Sequence, residues 1–250
     1  MLNEPKVSVV IVVLNGALTI ARTLQSLSIQ THRNIEVLVK DGGSTDGTLD
    51  VLRAHSSLIS WLASGRDSGI YDAFNLALDH ATGDWICFIG SDDYFCEQRA
   101  IAKLVTAADR HNADLVCAKV AVVKDKKILQ KIGQPWNWNR LKRFQHVAHV
   151  GMLHRKKLFD MYGKFDRRFK IAGDYHFLLR LGPSLRAAFV DEILVHMEST
   201  GLSHQNIAQV LRETRTIQSE HVEIGPTRAY LNYLAAWAKV PLRKLRWVLS

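Results

Sequence analysis

Residues 1–95 alternate between short apolar runs and stretches whose apolar residues recur every three or four positions. The apolar runs are rich in Val and Ile, which is typical of strands that are covered on both faces of a sheet. The stretches between them have the period of helices that pack one face on a sheet. The resulting order, βαβαβαβ, predicts a parallel sheet with right-handed crossovers. We expect strands at Val7–Val13, Ile35–Lys40, Ile59–Ala63 and Trp85–Ile89, with helices after Gly16, at Leu49–Ala54 and after Gly69.

The alternation weakens beyond Tyr94. Two apolar runs separated by Lys124-Asp125-Lys126 predict a hairpin, because short polar turns join antiparallel strands. A helix is predicted at Arg155–Tyr162, since Gly163 can end it, and another opens at Asp174. The other elements expected here are a helix at Gln98–His111, hairpin strands at Leu115–Val123 and Lys127–Ile132, and a strand near Val147–Leu153.

Two adjacent carboxylates, Asp92 and Asp93, follow the fourth predicted strand. Ligands of open α/β sheets bind beyond the carboxyl ends of the strands, so this pair indicates a divalent ion shared with a phosphorylated substrate. The helix after Gly69 carries polar residues opposite its apolar face, and we expect that polar face to line the site. Its polar residues are Asp72, Asn75 and Asp79.

The composition is that of a globular protein, since 47% of the 250 residues are hydrophobic and only five are proline. Three cysteines, with neither an even count nor a metal-ligand spacing, indicate a reducing compartment where they pack as small apolar side chains. The apolar run Val7–Leu14 is far shorter than the roughly 20 residues that span a bilayer, and no signal-peptide layout is visible. We therefore expect a cytoplasmic protein.

The net charge of +9 is concentrated in the second half of the chain. Residues 1–125 carry a net charge of −4, whereas residues 126–250 carry +13. This asymmetry predicts that the second half faces an anionic partner, for which phospholipid headgroups, a pyrophosphate-linked molecule and nucleic acid are the candidates. Neither G-x-G-x-x-G nor G-x-x-x-x-G-K-[ST] follows the first strand, so neither a dinucleotide-binding fold nor a P-loop is supported.

Six segments between Lys6 and Ser203 carry a resemblance to a known family. They are VSVVIVVLNG, KDGGSTDGT, RDSGIYDAFNLAL, ATGDWICFIGSDD, HVGMLHRKKLF and KFDRRFKIAGDYHFLLRL. In this order and spacing they resemble the inverting, nucleotide-sugar-dependent glycosyltransferases of family 2. The resemblance implies an α/β GT-A fold, in which a Rossmann-like, mostly parallel sheet is flanked by helices, here with a C-terminal helical extension. The chain is expected to divide into a nucleotide-sugar-binding half at 1–95 and an acceptor-binding and catalytic half at 96–203. The resemblance ends at Ser203, and the composition of 204–250 predicts a basic helical tail.

The resemblance implies roles for four residues on the nucleotide side. Asn15 lies at the nucleotide end of the first strand, and Asp41 accepts a hydrogen bond from the base, which is expected to be uracil. Asp92 lies nearer the ribose or a water molecule, while Asp93 ligates Mg²⁺ or Mn²⁺, here in the motif SDD rather than DxD. A hard cation in this place neutralises the charge that develops on the departing diphosphate.

Further residues are weaker candidates. Arg66 is expected to contact the nucleotide or the donor phosphates, and an exposed ion pair with Asp67 is the alternative. Asp72 is expected among the nucleotide-binding residues. His149 is a candidate for a place near the acceptor, and His196 is a candidate for contact with the acceptor or the donor phosphates.

Asp174, in the segment IAGDYHFLLR, occupies the position of the family's catalytic base. In a single displacement the acceptor hydroxyl attacks the anomeric carbon, and a carboxylate within about 3 Å takes its proton. An Asp at the start of a helix is also a common cap, worth ~1 kcal/mol, so both roles stay open for this residue.

The C-terminal tail combines apolar and basic residues. We expect a helix at Ile207–Glu223, a break at Gly225-Pro226, and a second helix from near Thr227 that Pro241 interrupts. Leu242–Leu249 mixes three cations with leucines and a Trp, as interfacial helices do. The tail is expected either to lie on an anionic membrane surface, at the inner face of the cytoplasmic membrane, or to pack on its own domain or a partner subunit. Apolar surface in the second helix is expected from Leu231, Leu234, Ala235, Trp237 and Ala238.

We therefore predict a metal-dependent inverting glycosyltransferase with a nucleotide-sugar donor, expected to be a UDP-sugar. Its acceptor is expected to be a hydroxyl of a saccharide or lipid-linked saccharide in bacterial surface polysaccharide assembly. A sugar nucleotidyltransferase is the second candidate, but Leu14–Ala17 does not resemble the Gly-rich, Arg-containing loop of that class. A basic nucleic-acid-binding protein is the third, and it is disfavoured because no binding module is recognisable and Asp92 and Asp93 would repel phosphate without a cation.

Overall fold

The computed structural model describes residues 4–248, without the side chains of residues 202, 204 and 241–248. The strands form one mixed nine-stranded sheet with helices on both faces. The strands are β1 Val7–Val13, β2 Ile35–Asp41, β3 Ile59–Ser64, β4 Trp85–Gly90, β5 Tyr94–Phe95, β6 Leu115–Lys124, β7 Lys127–Ile132, β8 Leu153–Arg155 and β9 Ala187–Glu198. The helices are α1 Ile20–Ser28, α2 Thr48–Ala54, α3 Ile70–Leu78, α4 Ala100–Arg110, α5 Trp138–Leu141, α6 Lys157–Tyr162, α7 Gly173–Arg180, α8 Leu202–Gln205, α9 Ile207–Glu220 and α10 Gly225–Val248.

The first four strands confirm the predicted parallel sheet. β1 pairs in parallel with β2 and with β4, and β2 pairs in parallel with β3. Val9 and Ile11 of β1 belong to the core on one face of the sheet, whereas Val10 belongs to the core on the other face. All three side chains are fully buried, which explains why the run is apolar at every position. The carboxyl ends of these strands lie at one edge, where polar residues follow.

The second half of the sheet is mixed rather than parallel. β8 pairs antiparallel with β4 and with β6, and β6 then pairs in parallel with β9. β5 closes the edge antiparallel to β9, which gives the order β3-β2-β1-β4-β8-β6-β9-β5. The short β8 therefore joins the two halves into one sheet.

The β6–β7 hairpin forms as expected, whereas the strand expected before β8 does not. The two turn residues of the hairpin, Asp125 and Lys126, have φ angles of 48° and 67°, which suits a tight turn. The strand expected near Val147–Leu153 is wrong, because Gly151 has a φ of 72° and makes a turn there. The strand forms only afterwards, as β8 at Leu153–Arg155.

The C-terminal tail folds into two long helices, α9 and α10. The expected interruption at Pro241 is wrong, because α10 runs from Gly225 to Val248. A proline removes one intrahelical hydrogen bond, and this helix continues past that loss. The interfacial role expected for Leu242–Leu249 depends on side chains that lie outside the described residues. In the described part of the chain, no helix has the length and hydrophobicity needed to span a membrane.

Candidate active site

The carboxylates of Asp92 and Asp93 face a common point beside Gly90, the last residue of β4. A β-carbon added to Gly90 would lie 2.7 Å from Asp93 Oδ2 and 2.9 Å from Asp92 Oδ1. Asp93 is only 7% exposed, and burial together with the charge of Asp92 raises its pKa to about 8. Burial also raises the pKa of Asp92. A cation at this point would relieve the repulsion between the two carboxylates. Because carboxylate oxygens suit Mg²⁺ or Mn²⁺, the pair fits the metal that the resemblance implies.

Two carboxylates do not complete a metal site. Among the residues whose side chains the structure describes, no group of three or more His, Cys, Asp or Glu side chains is arranged to hold a metal ion. A cation beside Asp92 and Asp93 therefore needs further oxygen ligands from a bound molecule or from water.

Helix α1 holds the acidic turn, which we define as Ser91–Asp93, through its main chain. The hydroxyl of the fully buried Thr23 lies 2.9 Å from the carbonyl oxygen of Ser91 and 2.7 Å from that of Asp93. Arg22 Nη2 donates to the carbonyl oxygen of Asp92 at 2.8 Å. These contacts fix the turn while leaving the Asp92 carboxylate without a partner from α1.

A third carboxylate, Glu198 at the end of β9, adjoins the acidic turn. Arg22 Nη2 donates to Glu198 Oε1 at 2.8 Å, and the main-chain N–H of Glu198 donates to Asp93 Oδ1 at 3.1 Å. The Arg22 guanidinium lies 4.3 Å from the centre of the Tyr94 ring. Arg22 therefore neutralises Glu198 and joins it to the turn. The sequence reasoning missed both residues, because only the β5–β9 pairing brings the end of β9 to this place.

His196 lies beside the same turn. Its Nδ1 is 3.0 Å from the Tyr94 hydroxyl, and the two residues are paired across β5 and β9. Burial lowers the pKa of His196, and the charge of Arg22 acts in the same direction. A neutral imidazole two residues from Glu198 stays a candidate for donor or acceptor contact.

Asp41, the last residue of β2, is fully buried among hydrogen-bond donors. Its Oδ2 accepts from the main-chain N–H of Gly43 at 3.0 Å, from that of Ser44 at 3.1 Å and from the Ser64 hydroxyl. Burial opposes its ionisation, but these hydrogen bonds outweigh burial and lower the pKa of Asp41. Oδ1 has a longer contact, 3.3 Å to the Ser44 N–H, and the Ser44 side chain also hydrogen-bonds this carboxylate.

Asn15 and Arg66 lie against the loop that follows Asp41. The main-chain N–H of Asn15 donates to the Ser44 hydroxyl at 2.7 Å, and its side-chain oxygen accepts from the Thr45 N–H at 2.9 Å. Arg66 is exposed, and its main-chain nitrogen is 3.6 Å from the position of a β-carbon on Gly43. The structure thus brings together three of the five residues predicted at the nucleotide, namely Asn15, Asp41 and Arg66, although they lie at the ends of three different strands.

The polar face of α3 contacts other protein groups. Asp72 accepts from the Ser68 N–H at 2.9 Å and from Arg167 at 3.1 Å. Asn75 forms two hydrogen bonds with the main chain of Phe165, and Asp79 pairs with Lys164. This face is therefore occupied by residues 164–167, and nucleotide binding by Asp72 stays a prediction that its contacts do not support.

Asp174 lies inside the first turn of α7 and is not its cap. The helix begins at Gly173, and its N-cap residue is Ala172. Tyr71 donates to Asp174 Oδ1 at 3.1 Å, and Gln145 Nε2 donates to Oδ2 at 2.8 Å. The main-chain N–H of Tyr175 also hydrogen-bonds the carboxylate. Burial raises the pKa of Asp174 even though these hydrogen bonds oppose the increase. A raised pKa makes this carboxylate a stronger base.

Tyr71 can serve either charge state of Asp174. Its single hydroxyl hydrogen has two acceptors, the Ile171 carbonyl at 2.6 Å and Asp174 Oδ1 at 3.1 Å. A protonated Asp174 can donate to the Tyr71 oxygen while Tyr71 donates to Ile171. The ring is held tightly, because a β-carbon on Gly173 would lie 2.7 Å from two of its carbons. Sequence reasoning missed Tyr71 and Gln145, for which no local signal exists.

His149 is part of an aromatic cluster rather than of this hydrogen-bond network. It stacks on Phe88 with 5.5 Å between ring centres, and its ring centre is 5.0 Å from that of His154. Burial lowers the pKa of His149 to about 4, so the imidazole is neutral near pH 7. Its role near the acceptor stays a prediction.

Comparison with known proteins identifies similar chains. The family model described as glycosyl transferase family 2 matches residues 8–172. A PGL/p-HBAD biosynthesis glycosyltransferase of Mycobacterium tuberculosis is 30% identical over 207 residues, which cover 80% of each chain. An uncharacterised glycosyltransferase of the same species is 28% identical over 228 residues, or 88% of this chain and 86% of the relative.

Solved structures share the fold. TarS 1–349 of S. aureus, in complex with UDP-GlcNAc, matches with a TM-score of 0.73 and 20% identity over 91% of this chain and 70% of TarS. The mannosyltransferase PcManGT of Pyrobaculum calidifontis, in complex with GDP-Man and Mn²⁺, matches with a TM-score of 0.65 and 18% identity over 96% of this chain and 76% of that one. These likenesses confirm the expected GT-A fold.

Proposed function

This chain belongs to glycosyltransferase family 2, and from that membership we propose that it transfers a sugar, with inversion, from a nucleoside diphosphate to a hydroxyl group. One observation carries the proposal. The carboxylate of Asp174 is held by Tyr71 and Gln145 with a raised pKa, separately from the acidic pair at the end of β4. An inverting transfer needs two such centres, one for the incoming hydroxyl and one for the departing diphosphate.

The donor is proposed to bind at the loops that follow β1, β2 and β3. Asn15, Asp41 and Arg66 meet there, and hydrogen bonds lower the pKa of Asp41, so its carboxylate is an ionised acceptor. An ionised acceptor suits the imide N–H of uracil, so we propose a UDP-sugar. The exposed Arg66 is proposed to contact the donor phosphates, because a guanidinium can donate to two phosphate oxygens at once.

The acidic pair is proposed to hold Mg²⁺ or Mn²⁺. Asp93 would be the ligand, and Asp92 would lie nearer the ribose or a water molecule, with the remaining oxygens supplied by the diphosphate. When bound, the cation supplies charge neutralisation for the leaving diphosphate. Thr23, Arg22 and Glu198 keep the turn in place for this purpose.

Asp174 is proposed to take the proton of the acceptor hydroxyl as that oxygen attacks the anomeric carbon. The proton arrives on a carboxylate whose burial favours the neutral form. Tyr71 can then turn its hydrogen to the Ile171 carbonyl and accept from the protonated Asp174. Gln145 holds the second oxygen, so the carboxyl plane stays fixed during the transfer.

We propose a saccharide or lipid-linked saccharide as the acceptor, in the assembly of a bacterial surface polysaccharide at the inner face of the cytoplasmic membrane. The basic second half of the chain supports an acceptor with phosphate groups. Residues 1–95 would bind the donor and 96–203 would bind the acceptor, although Tyr71 of the first part also supports Asp174 of the second. Residues 204–250 would form the basic tail.

The proposal is tested by incubating the full chain with UDP-sugars and GDP-sugars, with Mn²⁺ or with EDTA, and measuring release of the nucleoside diphosphate. We expect release from a UDP-sugar with Mn²⁺ and little release with EDTA. Release of pyrophosphate from a nucleoside triphosphate and a sugar phosphate would instead assign the chain to the nucleotidyltransferases.

A further inference from the structure

Helix α10 packs on α9 with one face and leaves large apolar side chains exposed on the other. Ala229 and Val240 are buried on the packed side. The exposed fractions are 49% for Tyr230, 60% for Leu231, 47% for Leu234 and 39% for Trp237, and we call these four residues the outward face of α10. Contiguous apolar side chains on a protein surface mark an interaction site. Leu231, Leu234 and Trp237 therefore keep a large part of their apolar surface open to solvent.

Cations border this outward face on both sides. Arg228 and Lys239 are exposed, and because they lie about three helical turns apart they occupy the same side of α10. On the opposite side, the guanidinium of Arg215 in α9 lies 5.4 Å from the ring centre of Tyr230. The sequence of α10 contains five Lys and Arg residues and no Asp or Glu.

We propose that the outward face of α10 docks on an anionic lipid surface, with the helix lying parallel to the membrane. Apolar and aromatic side chains would enter the boundary between headgroups and acyl chains, and the flanking cations would lie among the anionic headgroups. Both features are those of helices that bind at membrane interfaces. The inference rests on the proposed function only for the location of the acceptor, since docking would bring the site to lipid-linked molecules.

A second copy of the chain is a poorer occupant of this face. In a two-fold symmetric contact the same patch meets itself, so Arg228 and Lys239 of one copy would adjoin the same cations of the other. Repulsion between these charges disfavours that contact, whereas an anionic surface attracts them. Charge complementarity therefore selects the lipid surface.

Sedimentation of the full chain with vesicles tests the proposal. We expect the wild type to bind vesicles of phosphatidylglycerol and phosphatidylcholine, and to bind phosphatidylcholine alone much more weakly. R228E/K239E should lower the partition onto the anionic vesicles at least about tenfold, because each cation near such a surface contributes to binding. L231Q/L234Q should lower it as well, through loss of apolar burial.

Matched controls separate docking from general effects of charge and hydrophobicity. K126E/K127E changes the net charge by the same amount on the distant β6–β7 hairpin, and M161Q replaces an apolar side chain that is 67% exposed. Both controls should bind as the wild type does, and circular dichroism should show every variant folded.

Three outcomes would overturn the proposal. They are a wild type that does not sediment with anionic vesicles, an equal loss in K126E/K127E, or a wild-type dimer that R228E/K239E or L231Q/L234Q converts to monomer. Metal-dependent release of UDP in the absence of lipid should be unchanged in R228E/K239E. If this release persists while vesicle binding is lost, docking has failed and the proposed sugar transfer has not.

Discussion

The hydroxyl of Tyr71 lies 3.1 Å from Asp174 Oδ1, although 103 positions separate the two residues in the chain. The contact joins α3, which follows the loop that contains Arg66, to α7, which carries the proposed base. It therefore links the proposed donor side of the site to the proposed acceptor side. Tyr71 belongs to the matched family segment, yet its role is visible only in the folded chain.

Tyr71→Phe tests whether this hydroxyl tunes the base. Asp174 must be ionised to accept a proton, so kcat falls as the pH drops through its pKa. The Tyr71 hydrogen bond lowers that pKa against the increase that burial causes, so its loss should raise the pKa further and move the acid limb of kcat to higher pH. We expect kcat at neutral pH to fall about tenfold, as for a lost hydrogen bond to a charged group.

Tyr162→Phe is the matched control, because this tyrosine lies in α6 and donates no hydrogen bond to Asp174. Its pH profile should match that of the wild type. An unshifted acid limb in Tyr71→Phe, with full activity, would refute the tuning of Asp174 by Tyr71.

Gly173→Ala tests the fit between α7 and the Tyr71 ring. The added β-carbon would lie 2.7 Å from two ring carbons, so Tyr71 must move. We expect a lower kcat with unchanged affinity for UDP, and a loss of about 1–3 kcal/mol in the free energy of unfolding, as for an overpacked core. Gly201→Ala is the control, since its β-carbon would have 3.8 Å to the nearest atom. Equal activity of both variants and the wild type would contradict the need for close packing here.

Arg22→Ala tests the support of the acidic turn. Loss of the contacts to the Asp92 carbonyl and to Glu198 should weaken Mn²⁺ binding in the presence of UDP about tenfold, which is typical for residues that hold a metal ligand in place. Free Mn²⁺ measured by electron paramagnetic resonance gives this affinity without turnover. Arg22→Lys should recover part of it, because an ammonium keeps the charge beside Glu198 but loses the planar contact with Tyr94.

Arg53→Ala removes an exposed ion pair of α2 and should leave Mn²⁺ binding unchanged. If Arg22→Ala binds Mn²⁺ as tightly as Arg53→Ala while the wild type shows UDP-dependent binding, the positioning role is wrong. If the wild type itself binds no Mn²⁺ with UDP, the metal assignment fails instead.

The parallel half of the fold was predictable mainly because three of its four strands are covered on both faces. β1, β2, β3 and β4 lie within one residue of their predicted bounds. Nearly every residue of β1, β2 and β4 is buried, and such burial favours apolar runs, whereas β3 is an edge strand whose residues alternate between half-buried and exposed. β9 gave no such signal. Asp191 and Glu192 lie exposed in its middle, and only part of the strand is buried, so its pattern does not alternate cleanly.

The candidate site also contains residues that were predictable from the sequence and residues that were not. Asp92 and Asp93 are visible in the sequence because one short segment carries both the strand and the carboxylates. Arg22 and Glu198 are 176 positions apart, and their contact depends on strand pairing that the chain does not signal locally. Residues whose role comes from long-range contacts are therefore the ones that sequence reasoning missed.

Separate roles for the two carboxylates are tested by comparing Asp174→Asn with Asp93→Asn in two assays. The first is equilibrium binding of UDP with and without Mn²⁺, and the second is single-turnover loss of the donor sugar. Asp174→Asn should bind UDP with Mn²⁺ as the wild type does, yet react at least about 100-fold more slowly. In Asp93→Asn, Mn²⁺ should no longer affect UDP binding. Asp166→Asn is the control and should behave as the wild type in both assays. Turnover of Asp174→Asn at the wild-type rate, or an equal loss of UDP binding in Asp174→Asn and Asp93→Asn, would contradict separate carboxylates for the acceptor and the diphosphate.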